Sequence, residues 1–218
     1  EQKKVNDSNF TLNPLLNDGK YYWRINVTDG FSNIESNVYN FIIDINTPVL
    51  AGLTFDDSDG IVRSNKTLNF TVNASDANLI NVTLNGTLMN HIGDNVYSFV
   101  SAPSYFGCVN DGECTLNATA VDIAGRNNLS MLSLTIDNTP PIVSDLSSNK
   151  TNSISRSDGE LNFTVSVIDN NVESVTLNGT VMEQGTNNKF FTVKKPSELG
   201  CSEPSCLLAV TVIDQAGN

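Results

Sequence analysis

Three residue types in this chain are placed to do chemistry. The first is asparagine. Asn-x-Ser/Thr with x other than proline occurs at Asn6, Asn9, Asn26, Asn65, Asn69, Asn73, Asn81, Asn85, Asn117, Asn128, Asn149, Asn162 and Asn178. Each is an acceptor pattern for an N-linked glycan, which needs an exposed site. With 31 Asn and 41 Ser and Thr in 218 residues, unbiased placement yields about six such sites rather than 13. Strand alternation pairs polar residues at i and i+2, but it does not favour Asn first and the hydroxyl second. Asn85 and Asn178, in tight turns, are the weakest of the set.

The second type is cysteine. Cys108 and Cys114 enclose five residues, and Cys201 and Cys206 enclose four. A zinc site needs four ligands gathered in one module, and these pairs fall in different repeats with no histidine nearby. Two local disulfides, Cys108–Cys114 and Cys201–Cys206, are expected, and with them an oxidising compartment.

The third type is aspartate. Asp56, Asp57 and Asp59 put three carboxylates in four residues beside Gly60. Such oxygens can wrap a hard cation, so a structural Ca²⁺ is one reading and a solvated turn the other. The later ligands of an EF-hand are missing. Asp44 and Asp137, near the linkers, are candidates to join a joint-stiffening site.

Other chemistry is excluded by composition. His91 is the only histidine, and no phosphate-binding glycine loop or nucleophile elbow occurs. No catalytic residue is assigned, and the expectation is a protein that is not an enzyme. A net charge of −12 and a pI near 4.3 leave no basic patch to neutralise phosphates, so nucleic acid is excluded as a partner. No apolar run approaches the length of a membrane span.

The elements that must position these residues are strands. Leu68, Phe70, Val72 and Ala74 alternate with Asn69, Thr71, Asn73 and Ser75, which is the period of a strand with one buried face. Val82 and Leu84 lead into Asn85-Gly86, the strongest short hairpin signal. No helical period is present.

The pattern repeats. Leu68–Val72 recurs as Leu161–Val165, Val82–Thr87 as Val175–Thr180, and Asp44-Ile45-Asn46-Thr47-Pro48 as Asp137-Asn138-Thr139-Pro140-Pro141. Asp29-Gly30, Asp122-Ile123-Ala124-Gly125 and Asp214-Gln215-Ala216-Gly217 mark one point at spacings of 93 and 92 residues. The expected organisation is 1–46, the C-terminal half of one unit; 47–138, a complete sandwich; and 139–218, a sandwich lacking its last strand. Residues 1–46 are expected to carry strands near Asn9–Leu15, Lys20–Thr28 and Val38–Asp44. The window is expected either to be cut from a longer array or to be completed by strand addition between chains.

Tyr21–Gly30 resembles the penultimate strand of fibronectin type III modules. That resemblance makes Tyr21 the tyrosine-corner residue and turns Trp23, Ile25 and Val27 inward, with Trp23 as core filler rather than a sugar-stacking platform. The Asp-x-Ala-Gly and Asp-Asn-Thr-Pro-Pro pieces resemble tandem immunoglobulin-like repeats of bacterial and archaeal cell-surface proteins. The resemblance implies an all-β chain of sandwich domains arranged end to end, located at the cell surface. Its partners would be like subunits or neighbouring repeats, and its role would be in a glycosylated filament, sheath, stalk or adhesin. The alternative is an accessory or ligand-binding module of a secreted carbohydrate-active enzyme or an adhesin tip.

Overall fold

The computed structural model describes residues 15–150, 155–202 and 205–218. Asn6, Asn9 and most of the strand expected over Asn9–Leu15 lie outside the described residues. Apart from two short 3-10 turns, the described chain is built from strands, as expected. It divides into two compact units: described residues up to 53 with 71–98 and 117–130, and residues 54–70 with 99–116 and the described part of 131–218.

In chain order the strands begin with β1 (Gly19–Trp23), β2 (Asn26–Thr28), β3 (Asn33–Glu35), β4 (Tyr39–Ile43), β5 (Val49–Phe55) and β6 (Ile61–Val62). There follow β7 (Leu68–Ser75), β8 (Leu79–Leu84), β9 (Thr87–Leu88), β10 (Asn90–Gly93), β11 (Val96–Ser101), β12 (Gly112–Asp122) and β13 (Asn127–Ile136). The last are β14 (Ile142–Ser148), β15 (Leu161–Ile168), β16 (Val172–Leu177), β17 (Thr180–Val181), β18 (Glu183–Gln184), β19 (Lys189–Lys194) and β20 (Val210–Asp214). Their sheet orders are β1-β4, β2-β3, β10-β11-β7-β5, β6-β13-β12-β8-β9, β14-β15-β19-β18 and β17-β16-β20.

In the first unit, β1 and β4 form an antiparallel ribbon in which Tyr21 faces Phe41 and Trp23 faces Tyr39. Both aromatic pairs stack, with centroids 5.6 and 5.0 Å apart. The Tyr21 hydroxyl donates to the Asn17 carbonyl at 2.8 Å, the upstream bond that a tyrosine corner requires. The inward placement of its neighbours is not met. Trp23 is 46% exposed, Ile25 53% and Val27 62%. The expected single strand Lys20–Thr28 breaks into β1 and β2, and among the described residues β1–β4 and β2–β3 are two-stranded, so no second sheet covers their side chains.

Strand β7 shows the expected alternation, with Leu68, Phe70, Val72 and Ala74 all buried. Its counterpart β15 buries Leu161, Phe163, Val165 and Val167 in the same way. In the second unit these side chains pack with Val175, Leu177, Met182, Phe190 and Leu199 between the two sheets. Each such aliphatic side chain contributes about 1.5–3 kcal/mol through burial.

Turn chemistry repeats with the strands. Asn85-Gly86 has φ of 44° and 80°, and Asn178-Gly179 has 45° and 80°, the left-handed pair of a type I′ hairpin. The Asn side chains add a second function. Asn85 Oδ1 accepts the Asn117 N–H at 2.7 Å, and Asn178 Oδ1 accepts the Ala209 N–H at 2.8 Å. Each hairpin is thereby tied to the strand or segment beside it.

The 3-10 turns Pro103–Phe106 and Pro196–Leu199 both end on a left-handed glycine, Gly107 or Gly200. The next residue is the first cysteine of a pair, and its N–H closes back on the proline carbonyl, at 3.3 Å for Cys108 and 3.0 Å for Cys201. Cys108–Cys114 and Cys201–Cys206 are disulfides with Cα separations of 5.9 and 5.0 Å.

Candidate cation-binding aspartates and glycan acceptors

Of the aspartates first singled out, Asp57 and Asp59 are hydrogen-bonded neighbours, but the three do not gather into one set of ligand oxygens. Asp56 Oδ1 accepts the Asn69 N–H at 2.8 Å, and Asp59 Oδ1 accepts the Ile61 N–H at 3.0 Å. Asp57 accepts the Gly60 N–H at 3.2 Å and the Lys66 ammonium at 2.5 Å. Burial pushes the Asp57 carboxyl up, but the Lys66 ammonium, the neighbouring Asp59 hydrogen bond and the Gly60 N–H outweigh it and hold it below the usual aspartate range. These three carboxylates organise a turn that anchors β6 and β7, each through a different partner.

Two other groups of aspartates do converge. Asp44, Asp76 and Asp122 bring one carboxylate oxygen each within 4.8 Å of one another, and so do Asp137, Asp169 and Asp214. Each set lies within one compact unit. The elements that hold them correspond. Asp44 follows β4 and Asp137 follows β13; Asp76 follows β7 and Asp169 follows β15; Asp122 and Asp214 are the last residues of β12 and β20.

The local bonds correspond as well. The Asn78 N–H donates to Asp76 Oδ1 at 2.8 Å, and its amide donates to Asp44 Oδ2 at 3.0 Å. The Asn171 N–H donates to Asp169 Oδ1 at 2.6 Å, and its amide to Asp137 Oδ2 at 2.9 Å. One asparagine in each set therefore fixes two of the three carboxylates. The third begins the Asp-x-Ala-Gly turn. The Gly125 N–H returns to the Asp122 carbonyl at 3.2 Å and the Gly217 N–H to that of Asp214 at 3.0 Å. Arg126 N–H donates to Asp122 Oδ1 at 2.9 Å, and Asn218 N–H to Asp214 Oδ1 at 2.8 Å.

Asp122 and Asp214 are fully buried. The second oxygens of the two differ. Asp214 Oδ2 accepts the Asn218 side-chain amide at 2.9 Å. Asp122 Oδ2 is buried and has no hydrogen-bond partner.

Sequence reasoning named Asp44 and Asp137 and used Asp122 and Asp214 as repeat landmarks, but missed Asp76 and Asp169. A signal for them exists. Asp76-Ala77-Asn78 and Asp169-Asn170-Asn171 place the same Asp-x-Asn directly after the alternating strand in both repeats.

The glycan acceptors divide by what their amides already do. Asn65, Asn73, Asn117, Asn149 and Asn162 are exposed, and their amide nitrogens donate no hydrogen bond among the described residues. Asn26 is exposed and its amide reaches Glu35 at 3.4 Å. Asn69, Asn81 and Asn128 are half-buried. Asn128 donates its amide to the Pro48 carbonyl at 3.0 Å, and Asn178 donates its own to the Leu199 carbonyl at 3.0 Å. Asn85 is exposed at its turn.

No helix among the described residues is long and apolar enough to cross a membrane. No family model matches the sequence. No curated protein matches it either. Among solved structures the chain is similar to a chimeric titin Z1Z2-Z1Z2 tandem functionalised with a GRGDS peptide from fibronectin. That likeness has 12% identity and a TM-score of 0.29, over 78% of this chain and 93% of the other. At that score it carries no residue, partner or activity across.

Proposed function

We propose that this chain is a structural segment of a glycosylated extracellular surface protein, built from immunoglobulin-like repeats of about 92 residues that span 47–138 and 139–218, with residues 1–46 belonging to a preceding unit. It performs no catalysis; it spaces, stiffens and shields. The observation that carries this reading is the position of the acceptor asparagines. Asn73, Asn117 and Asn162 stand on the exposed faces of strands whose alternate residues are buried, so sugars there would coat the sheets without disturbing the core. The twice-repeated disulfide beside a 3-10 turn supports an oxidising compartment.

Peptide mapping of native material, run without reduction, tests both parts. Glycans at Asn73, Asn117 and Asn162, little or none at Asn178, and two intra-repeat disulfides are expected. Unmodified asparagine at all of the exposed sites would end the surface-coat reading.

A second reading has one observation in its favour. Trp23 and Tyr39 stack on a half-exposed ribbon, 46% and 49% accessible, which is the kind of aromatic face a sugar ring can lie on. It would make the segment a carbohydrate-binding accessory module. Binding to a glycan array that disappears in Trp23→Ala would establish it, and an array with no signal would remove it.

A further inference from the structure

We propose that Asp44, Asp76 and Asp122 bind one Ca²⁺, and that Asp137, Asp169 and Asp214 bind a second. This is independent of the surface-coat reading and moves the cation away from Asp56, Asp57 and Asp59, whose oxygens serve a turn.

Three observations converge on it. The first is the state of Asp122. Its Oδ2 is fully buried and meets no donor, and one oxygen of its carboxylate lies within 4.8 Å of an oxygen of each of the other two. A buried anionic oxygen without a partner is costly, and two more carboxylates at that range raise the cost through like-charge repulsion. The ion pairs among the described residues are Arg24–Glu35, Lys66–Asp57 and Arg156–Asp158, and none involves these aspartates. Lys20 lines the groove beside Asp44 and Asp76, with its ammonium 5.4 Å above the Tyr22 ring. A bound divalent cation supplies the compensation that the protein does not.

The second observation is duplication. Asp44, Asp76 and Asp122 stand 32 and 46 residues apart, and Asp137, Asp169 and Asp214 stand 32 and 45 apart. The same strand ends, the same Asp-x-Asn brace and the same Asp-x-Ala-Gly turn assemble both sets. An asparagine that holds two like-charged carboxylates beside a third orders them for a ligand, as second-shell donors do around metals. In the second set Asn218 takes the partner role at Asp214 Oδ2 and also donates to the Asp137 carbonyl at 3.0 Å.

The third is geometry and access. Ca²⁺ holds six to eight oxygens at about 2.3–2.6 Å, so oxygens on opposite sides of its shell lie about 4.8 Å apart. The carboxylate oxygens of each set fall inside that diameter. Mg²⁺ needs a tighter octahedron at about 2.0–2.1 Å and keeps most of its water, so it suits three convergent carboxylates less well. Each set also opens to solvent through its half-buried members. Asp44 and Asp76 line a groove of about 430 Å³ with Asp18 and Asn46, and Asp169 lines one of about 260 Å³ with Asn170 and Gln184.

Calorimetric titration of the chelator-stripped chain with CaCl₂, at fixed ionic strength, tests the proposal. Two Ca²⁺ per chain are expected, with a thermal midpoint that rises with Ca²⁺ and falls in EDTA. Asp76→Asn and Asp169→Asn should each remove one site, weakening it at least tenfold, and together should leave melts that are the same in Ca²⁺ and EDTA. Asp44→Asn should repeat the Asp76→Asn result from the other side of the first site. Asp59→Asn should leave both sites intact. No heat and no midpoint shift at millimolar Ca²⁺ would overturn the proposal. So would binding that survives the double substitution, a site lost in Asp59→Asn, or an equal response to Mg²⁺.

Discussion

Asp111 shows how much one exposed side chain can hold in this chain. It accepts the Thr139 hydroxyl, the Asn138 N–H at 2.7 Å and the Asn138 amide at 3.0 Å, joining the disulfide loop to the segment after β13. The Thr139 hydroxyl first, then the Asn138 N–H, hold its carboxyl below the ordinary range. A carboxylate lowered in the folded state stabilises it fully above the ordinary aspartate value of about 3.9. That contribution disappears as pH falls through the lowered folded value. Acid unfolding followed by circular dichroism should therefore show Asp111→Asn with a shallower decline below about pH 4 than the parent chain. An unchanged acid limb would mean that the clamp is also formed in the unfolded chain or contributes nothing. Asn178 makes a second case. Asn178→Gly keeps the positive φ but deletes the bonds to Leu199 and Ala209, and should cost about 1–3 kcal/mol in denaturant melts, roughly one hydrogen bond each. Equal stability would assign the asparagine to the turn alone.

At the scale of elements, burial follows the period. Leu177 is completely buried in β16, and Leu177→Ala should cost about 2–5 kcal/mol by urea denaturation. Val181, 70% exposed in the paired β17, should tolerate alanine within about 0.5 kcal/mol. Such strands were legible because alternation along eight residues is local: Leu68–Ser75 needs no knowledge of what lies opposite. The Asn-Gly hairpins were legible for the same reason. The turns at Asp94-Asn95 and Asn187-Asn188 were not, although both residues of each pair have positive φ. Asx residues without glycine adopt that conformation only when the flanking strands demand it. Trp23 was expected inside and is exposed, because inward-facing describes a residue only when a second layer covers it, and among the described residues none covers β1 and β4. Asp76 and Asp169 stayed hidden because convergence across 32 and then 46 or 45 residues is a property of three strand ends together, while Asp56, Asp57 and Asp59 drew attention merely by being close in sequence.

For the whole molecule the dominant fact is charge. A net −12 on 218 residues makes compactness sensitive to screening. Raising NaCl from about 0.01 to 0.15 M shortens the screening length from about 30 to 8 Å and should raise the thermal midpoint of the Ca²⁺-free chain by a few degrees. The same rise should persist in the variant carrying both Asp76→Asn and Asp169→Asn, since it arises from the general field. Loss of the salt effect in that variant would place most of the repulsion in the two aspartate sets.

The smallness of the disulfide loops has a mechanical meaning. Cys108–Cys114 and Cys201–Cys206 span only six and five peptide steps. Closing loops that short contributes about 2 kcal/mol each through the unfolded chain. Under tension they withhold almost nothing. Six residues extended at about 3.4 Å each, less the 5.9 Å between bridged Cα atoms, amount to about 15 Å of hidden length. The second loop hides slightly less. Pulled from its ends, an oxidised chain should therefore pay out nearly the same contour as a reduced one, differing by about 25–30 Å in single-molecule extension traces. The bridges harden each repeat against unfolding yet leave it free to lengthen once it yields, so resistance to load must come from the strands themselves.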